Sequence, residues 1–221
     1  YDVPPTSNAN YGWILNMVSK LSQNGVAGFI LANGALSGGG EEYKIRKKLI
    51  ENDLVESIVI LPRNLFYTTD ISVTLWILNA NKKQREFEQN AKTKIHRDRT
   101  NEILFMDLRQ KGIPFEKKFT QFDDATVEEV TNTYHVWQSD KKAYKNIAEY
   151  CYSASKDEVE KKDYSLVPSK YIEFVNKDEN IDFDTKMTAL QSEFLELLKE
   201  EEKSKQELLT VFKELGYEIK L

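Results

Sequence analysis

Three short apolar runs lie close together in the first third of the sequence, each bounded by polar breaks. They cover residues 26–32, 54–61 and 72–79, with the sequences VAGFILA, LVESIVIL and SVTLWILN. Nearly continuous apolar runs of this length predict strands that are covered on both faces. Helical spacing predicts helices over residues 11–24 and 41–52. The order helix, strand, helix, strand, strand predicts an α/β fold.

These strands are too few for a complete doubly wound sheet. We therefore expect the sheet to begin before Tyr1, with residues 1–115 forming the C-terminal part of a larger domain. A further short strand is predicted at residues 103–107, with the sequence ILFMD. The polar residues 80–102, which precede this strand, are expected to form an exposed segment outside the sheet.

Residues 116–180 are predicted to be a helical and irregular extension. The capping-box patterns Thr126–Glu129 and Ser155–Glu158 each predict the beginning of a helix. Tyrosines are frequent between Tyr144 and Tyr171, and we interpret them as packing against the domain surface.

Residues 181–221 are predicted to form one long C-terminal helix for subunit assembly. Apolar residues recur every three or four positions from Asp184 to Leu215, which is the spacing of a helix–helix seam. A helix of that length spans roughly 48 Å, more than a domain of this size needs for its own core. The residues expected to contact a partner helix are Met187, Leu190, Phe194, Leu197 and Leu208.

Composition excludes several classes of protein. The 221 residues are 40% hydrophobic and 30% charged, and no run approaches the ~20 apolar residues of a membrane span. We expect no membrane association and, with Cys151 as the single cysteine, a cytoplasmic location. The two histidines, His96 and His135, are interpreted as surface residues, and no metal site is expected. The net charge of -5 indicates that any nucleic-acid binding requires a larger assembly.

An ordered series of sequence blocks runs from residue 8 to residue 172. The blocks are NANYGWILNMVSKL, GVAGFILANGALSGGGEEYKIRKKLIENDLVESIVILPRNLF, ISVTLWILN, ILFMDLRQKG and DYSLVPSKYI. Together they resemble the modification subunit of type I restriction-modification systems, an adenine-specific DNA methyltransferase. The ordered succession is much more specific than any single block.

The resemblance implies a subunit that uses S-adenosylmethionine and acts on double-stranded DNA with a specificity subunit and a restriction subunit. The implied fold is the C-terminal half of a Rossmann-like methyltransferase sheet, followed by a mainly helical tail. The family's glycine-rich donor loop and its Asn-Pro-Pro-Phe element have no counterpart here, since Pro4-Pro5 lacks the preceding Asn and the following aromatic. We therefore expect no catalytic residue and no bound S-adenosylmethionine in this chain, which alone should be inactive.

A flipped adenine base needs an aromatic or apolar side chain on each face. In related enzymes one ring belongs to the Asn-Pro-Pro-Phe element, and the other precedes a later strand. The resemblance assigns that second ring to Phe66, with Tyr67 as a possible substitute; the alternative for Phe66 is packing at the sheet edge. The family's Gly-Thr-Gly is replaced here by residues 68–70, Thr-Thr-Asp, which predicts a less permissive loop.

Two other groups of residues are candidates for binding. Asn33 and Gly34 follow the first strand at its carboxyl end, where α/β proteins bind ligands, although a simple turn is the alternative. The following helix carries four cations that could contact the DNA backbone, or could form a solvated helix face. These cations are Lys44, Arg46, Lys47 and Lys48.

Three functions remain open at this point. The first is that the chain is the C-terminal part of the methyltransferase subunit, with one wall of its base pocket. The second is a non-catalytic helical interaction module that docks a specificity subunit. The third is an unrelated Rossmann-like binding domain.

Overall fold

The computed structural model describes residues 1–89, 91–175 and 182–217. In this part of the chain the strands are β1 (Val26–Ala32), β2 (Val55–Ile60), β3 (Val73–Asn79), β4 (Arg85–Gln89), β5 (Lys92–His96), β6 (Glu102–Asp107), β7 (Ile113–Phe115), β8 (Phe119–Gln121) and β9 (Cys151–Ser155). The α-helices are α1 (Asn10–Val18), α2 (Gly40–Glu51), α3 (Asp124–Ser139), α4 (Lys156–Lys161) and α5 (Phe183–Glu214).

Five of the strands form one mixed sheet in the order β1-β3-β2-β6-β9. Strand β3 pairs antiparallel with both β1 and β2, so β1 and β2 run in the same direction. Strand β6 is parallel to β2, and β9 is antiparallel to β6. The α/β class is therefore confirmed, and the four strands predicted from apolar runs begin and end within one residue of their observed bounds. Strand β9 and the hairpins β4–β5 and β7–β8 were not predicted.

The chain divides into two compact units, residues 1–175 and residues 176–221. Residues on both sides of position 115 belong to the first unit, because β9 completes its sheet and α3 packs on that sheet. Helix α5 belongs to the second unit and begins at Phe183.

Both faces of the sheet carry a buried core. One face packs under α1 and α2, with Leu49, Trp76 and Phe105 in the same cluster. The other face packs under α3, where Trp137 contacts the cluster that contains Leu104. Neighbouring residues 104 and 105 point to opposite faces, as the two-residue period of a strand requires. Helices on both faces are the arrangement expected for an α/β sheet.

Three of the five tyrosines between residues 144 and 171 belong to this core, and Tyr144 and Tyr152 are partly buried against it. Tyr150, Tyr164 and Tyr171 are only 5–6% exposed. The Tyr171 ring stacks on Phe105, with the ring centroids 4.1 Å apart and the planes 5° from parallel. An offset aromatic pair of this kind adds about 0.5–1.5 kcal/mol beyond the burial of its surface.

Strand β1 is an open edge of the sheet. It was predicted to be covered on both faces, and this prediction is wrong for the described part of the chain, because its residues alternate between exposed and half-buried. Val26 is 52% exposed and Ile30 is 46% exposed. The strand pairs with β3 on one side, and no described strand pairs with its other side.

A buried ionic cluster lies where β2 begins and β3 ends. The side chains of Glu56 and Arg99 are fully buried and form an ion pair at 2.9 Å. Asn79 donates a second hydrogen bond to the Glu56 carboxylate, and Gln138 of α3 donates a third. Residue 99 belongs to the segment predicted to be exposed outside the sheet, so that prediction is wrong at this residue.

Lys82, from the same segment, is buried beside this cluster. Its ammonium group donates to the carbonyls of Val55 and Glu102 at 3.0 and 2.8 Å and forms an ion pair with Asp53. Burial lowers the pKa of Lys82, and the nearby Asp53 carboxylate opposes that change. Three acceptors for three N–H donors satisfy the ammonium group completely.

Helix α5 is an exposed amphipathic rod. Its seam residues Met187, Leu190, Phe194, Leu197 and Leu208 are 40–60% exposed, and none of its residues is buried. Asp182 caps the first turn by accepting a hydrogen bond from the amide of Thr185. Among the described helices, none combines the length and the apolar character that crossing a bilayer would require.

We predict that Glu56→Gln destabilises the first unit by about 3–5 kcal/mol, because Arg99 is then left buried without a countercharge. Urea unfolding followed by circular dichroism measures this loss. The control is Arg63→Met, which removes the ion pair with Asp70 between side chains that are 70% and 66% exposed. That change should cost less than about 1 kcal/mol. Equal losses in the two variants would contradict the importance assigned to the buried pair.

Candidate functional site

The carboxyl ends of β1, β2 and β6 meet at one edge of the sheet, because these three strands share a direction. Asn33 and Gly34 directly follow β1, and residues 61–72 connect β2 to β3. Ligand sites of α/β proteins lie outside the carboxyl ends of parallel strands. The two loops singled out from the sequence are thus brought to the same edge.

Asn33 begins a single 3-10 turn that covers residues 33–36. Its side-chain oxygen accepts a hydrogen bond of 2.5 Å from the hydroxyl of Thr74, a fully buried residue of β3. Gly34 is exposed, and a Cβ atom at this position would meet nothing within 4 Å. The sheet therefore fixes the orientation of the Asn33 amide and leaves the backbone of Gly34 accessible.

Arg46 is buried and holds this loop through hydrogen bonds. Its side chain is buried, and it donates to the carbonyls of Gly38 and Tyr164 at 2.7 and 2.8 Å. The Tyr11 hydroxyl donates to the carbonyl of Ala35 at 2.6 Å, and burial raises the pKa of Tyr11 to about 12, so the hydroxyl keeps its proton. The predicted contact of Arg46 with DNA is corrected: Arg46 positions the loop after β1.

The other three cations of α2 have side chains that are 39–56% exposed. Each already has an acidic partner: Lys44 pairs with Glu41 at 3.1 Å, Lys47 with Glu51 at 3.8 Å and Lys48 with Asp2 at 3.1 Å. Exposed pairs of this kind are weak and can exchange for another anion. DNA contact through these lysines stays a prediction.

The two aromatic residues of the β2–β3 loop lie in different surroundings. Phe66 is half-buried against the apolar cluster under α3. Tyr67 is 71% exposed, and its ring makes an edge-to-face contact with Phe119, with the centroids 4.7 Å apart. Packing holds the Phe66 ring in place, whereas Tyr67 presents its ring to solvent.

A small polar cleft of about 260 Å³ lies beside Tyr67. Its walls are Asn64, Tyr67, Thr68, Thr69, Asp70, Lys118 and Phe119. Thr120 joins the hairpin β7–β8 to the loop by donating its amide to the carbonyl of Asn64 at 2.9 Å. The edge therefore offers rings for stacking and hydroxyl and amide groups for hydrogen bonding.

Phe119 and Lys118 are residues that the sequence analysis missed. They belong to the hairpin β7–β8, whose turn contains Glu116 and Lys117 with φ of 47° and 59°. Left-handed turn positions are usually signalled by Gly or Asn, and neither residue occupies this turn. The hairpin therefore could not be predicted from turn residues.

The glycines that follow β1 lead into α2: Gly38 and Gly39 precede the helix, Gly40 begins it, and its first turn holds Glu41 and Glu42. The expectation that this chain alone binds no S-adenosylmethionine stays a prediction. No group of three or more potential metal ligands occurs among the described residues.

Comparisons with known proteins give a consistent result. The family model for N-6 DNA methylases matches residues 1–180. The chain is 35% identical, over 99% of its length, to the type I restriction enzyme HindI methylase subunit of Haemophilus influenzae. It is 32% identical, over 97% of its length, to the type I restriction enzyme MjaIX methylase subunit of Methanocaldococcus jannaschii.

Solved structures show the same relationship. The type I restriction-modification methyltransferase subunit of Streptococcus thermophilus matches 79% of this chain and 32% of its own, with 26% identity and a TM-score of 0.64. The EcoKI M protein shares the fold, with a TM-score of 0.54 over 94% of this chain and 46% of its own, at 17% identity. The chain spans 46% and 36% of the lengths of the two curated relatives. It belongs to the N-6 DNA methylase family, and the relatives that it resembles are methylase subunits of type I restriction-modification systems.

Proposed function

We propose that the chain is the C-terminal part of a type I modification subunit that methylates the exocyclic amino group of adenine in double-stranded DNA. The observation that carries this proposal is the open edge of β1, which exposes apolar side chains and pairs on one side only among the described strands. A Rossmann-like sheet continues past such a strand with further parallel strands. The family match and the partial coverage of longer relatives support the same interpretation.

In this proposal the remainder of the subunit supplies the methyl donor site and the Asn-Pro-Pro-Phe element. S-adenosylmethionine, when bound there, supplies the methyl group. The amino group of adenine is a poor nucleophile because its lone pair is delocalised into the ring, so its orientation must be fixed by hydrogen bonds. The present chain contributes one wall of the base pocket, from Asn33, Gly34, Phe66 and Tyr67.

We predict that the 221-residue chain alone does not bind S-adenosylmethionine, because the donor loop lies outside it. Isothermal titration calorimetry measures this directly. The control is the full-length subunit under the same conditions, which should give saturable heat. Micromolar binding by the chain alone would contradict this placement of the donor site, and so would the absence of binding by the full-length subunit.

Phe66 is proposed as the second stacking ring because its position is already fixed by packing. A ring held by its neighbours loses little conformational entropy when a base stacks on it. Tyr67 is 71% exposed, and its ring is held less firmly, by an edge-to-face contact with Phe119. Asn33, oriented by Thr74, is proposed to contribute a hydrogen-bonding group on the same side of the pocket.

In the full-length subunit, Phe66→Ala should reduce methyl transfer by roughly 5- to 150-fold, since stacking contributes ~1–3 kcal/mol per base. Donor binding, measured by calorimetry, should remain unchanged. Tyr67→Ala is the matched control and should cause a smaller loss. If Tyr67→Ala causes the large loss and Phe66→Ala does not, the stacking role belongs to Tyr67.

Helix α5 is proposed to dock on a helix of the specificity subunit. Its apolar seam, Met187, Leu190, Phe194, Leu197 and Leu208, is exposed. An amphipathic helix binds through anchors at this spacing. The second candidate function is a non-catalytic module that docks the specificity subunit. The exposed seam favours this function whether or not the sheet takes part in catalysis. The restriction subunit is proposed to join the same complex as the full-length subunit and the specificity subunit.

The double change Phe194→Asp and Leu197→Asp should abolish co-purification of the full-length subunit with the specificity subunit, because two charges would then lie in the apolar seam. The matched control is Ser192→Asp with Gln206→Asp, which adds the same charge on the opposite face of the helix. Circular dichroism should show an intact fold in both variants. Co-purification of the seam variant would place the interface elsewhere.

A further inference from the structure

A second cavity lies at the other end of the sheet from the candidate site. Its volume is about 480 Å³, and it is lined by the hairpin β4–β5 and by the last turns of α3. The lining residues are Arg85, Phe87, Lys94, Ile95, His96, His135, Gln138 and Ser139. The hairpin follows the end of β3, and that end lies beside the beginning of β2. The cavity is therefore remote from the carboxyl ends of β1, β2 and β6, where the candidate site lies.

The hairpin separates its charges between two faces. Arg85 pairs with His96 across the strands, and Phe87 pairs with Lys94, so these four side chains share one face. The acidic residues of β4 occupy the alternate positions 86 and 88, which belong to the opposite face. Among the described residues, the lining of the cavity contains cationic side chains and no carboxylate.

Both histidines of the chain line this cavity, one from β5 and the other from α3. Two nitrogen atoms in its lining, Nε of Arg85 and Nδ1 of His96, are buried without a hydrogen-bond partner among the described residues. Buried polar atoms in folded proteins are nearly always satisfied by protein, water or ligand. These atoms indicate a place where a ligand can complete the hydrogen bonding.

His96 lies close to cationic side chains. Burial, followed by the charges of Arg99 and Arg85, lowers the pKa of His96 to about 4. The Glu56 carboxylate opposes this change, and His135 adds to it. With Arg85 and Lys94 on the same face of the hairpin, the lining favours an anion over a metal cation.

We infer that this cavity binds a phosphate group. Arg85 and Lys94 supply the positive charge, the imidazoles and the Gln138 amide supply hydrogen bonds, and Phe87 provides a ring against which a base or sugar can pack. The volume lies in the range of small-molecule sites, roughly 300–1,000 Å³. The phosphate could come from a free nucleotide or from the backbone of a nucleic acid, and the inference does not rest on methyl transfer.

The test uses imidazole NMR signals of the 221-residue chain, in which His96 and His135 are the only histidines. Inorganic phosphate, adenosine monophosphate and a short DNA duplex are titrated separately. We expect saturable shifts of both imidazoles with at least one probe. Lys94→Gln should weaken that binding by about tenfold or more, since one charge-assisted hydrogen bond is lost. The control is Lys83→Gln, which changes an exposed lysine outside the lining. Its affinity for the same probe should stay within about twofold of that of the unchanged chain.

The probes also separate the two sources of phosphate. Saturation by adenosine monophosphate or inorganic phosphate but not by the duplex supports the inference with a small ligand. Tighter saturation by the duplex supports it with a nucleic-acid backbone. The inference is overturned if no probe gives a saturable shift, or if Zn²⁺ saturates the imidazole signals and phosphate does not. It is also overturned if Lys94→Gln and Lys83→Gln lose affinity equally while circular dichroism shows that both variants are folded.

Discussion

The buried ion pair between Glu56 and Arg99 is the interaction on which the rest of the first unit depends. Two charges without solvent contact need hydrogen-bond partners, and those partners come from different parts of the chain. Asn79 is the last residue of β3, and Gln138 lies in the last turn of α3. The pair therefore connects strands β2 and β3, helix α3 and the segment between β3 and β6 that carries the hairpin β4–β5. Arg97 strengthens the connection, because its guanidinium donates to the carbonyl of Trp137 at 2.7 Å. The helix and the hairpin that form the second cavity are held by the same buried charges.

The fold could be predicted from the sequence wherever short-range patterns decide it. Ser155 and Glu158 form the predicted capping box at the beginning of α4. Helix α3, in contrast, is capped by Asp123, whose carboxylate accepts from the amide of Thr126. Both Asp123 and Thr126 are good capping residues, so composition alone does not choose between them. The burial of Arg99 was also beyond prediction, since its partner Glu56 lies 43 residues away in the sequence.

The positions of the candidate residues could be predicted in outline, because the ends of strands are readable from apolar runs. Asn33 and Gly34 follow β1, and Phe66 and Tyr67 lie between β2 and β3. Their role in binding stays a prediction. Their surroundings could not be predicted, since the hairpin that brings Phe119 against Tyr67 has no glycine in its turn. The four cations of α2 show the same limit: helical spacing does not reveal which residue a distant loop will cover. Tyr164 and Gly38 cover Arg46, and both contacts are made through backbone carbonyls.

The open edge of β1 also affects how the chain behaves outside a larger assembly. Natural sheet edges avoid pairing with other molecules through charges, prolines or bulges. The strand VAGFILA has neither a charged residue nor a proline, and its register with β3 is regular over seven residues. Such an edge is a template for intermolecular strand pairing and hence for aggregation. In the complete subunit proposed above, strands that cover this edge would protect the chain from aggregation as well as complete its sheet.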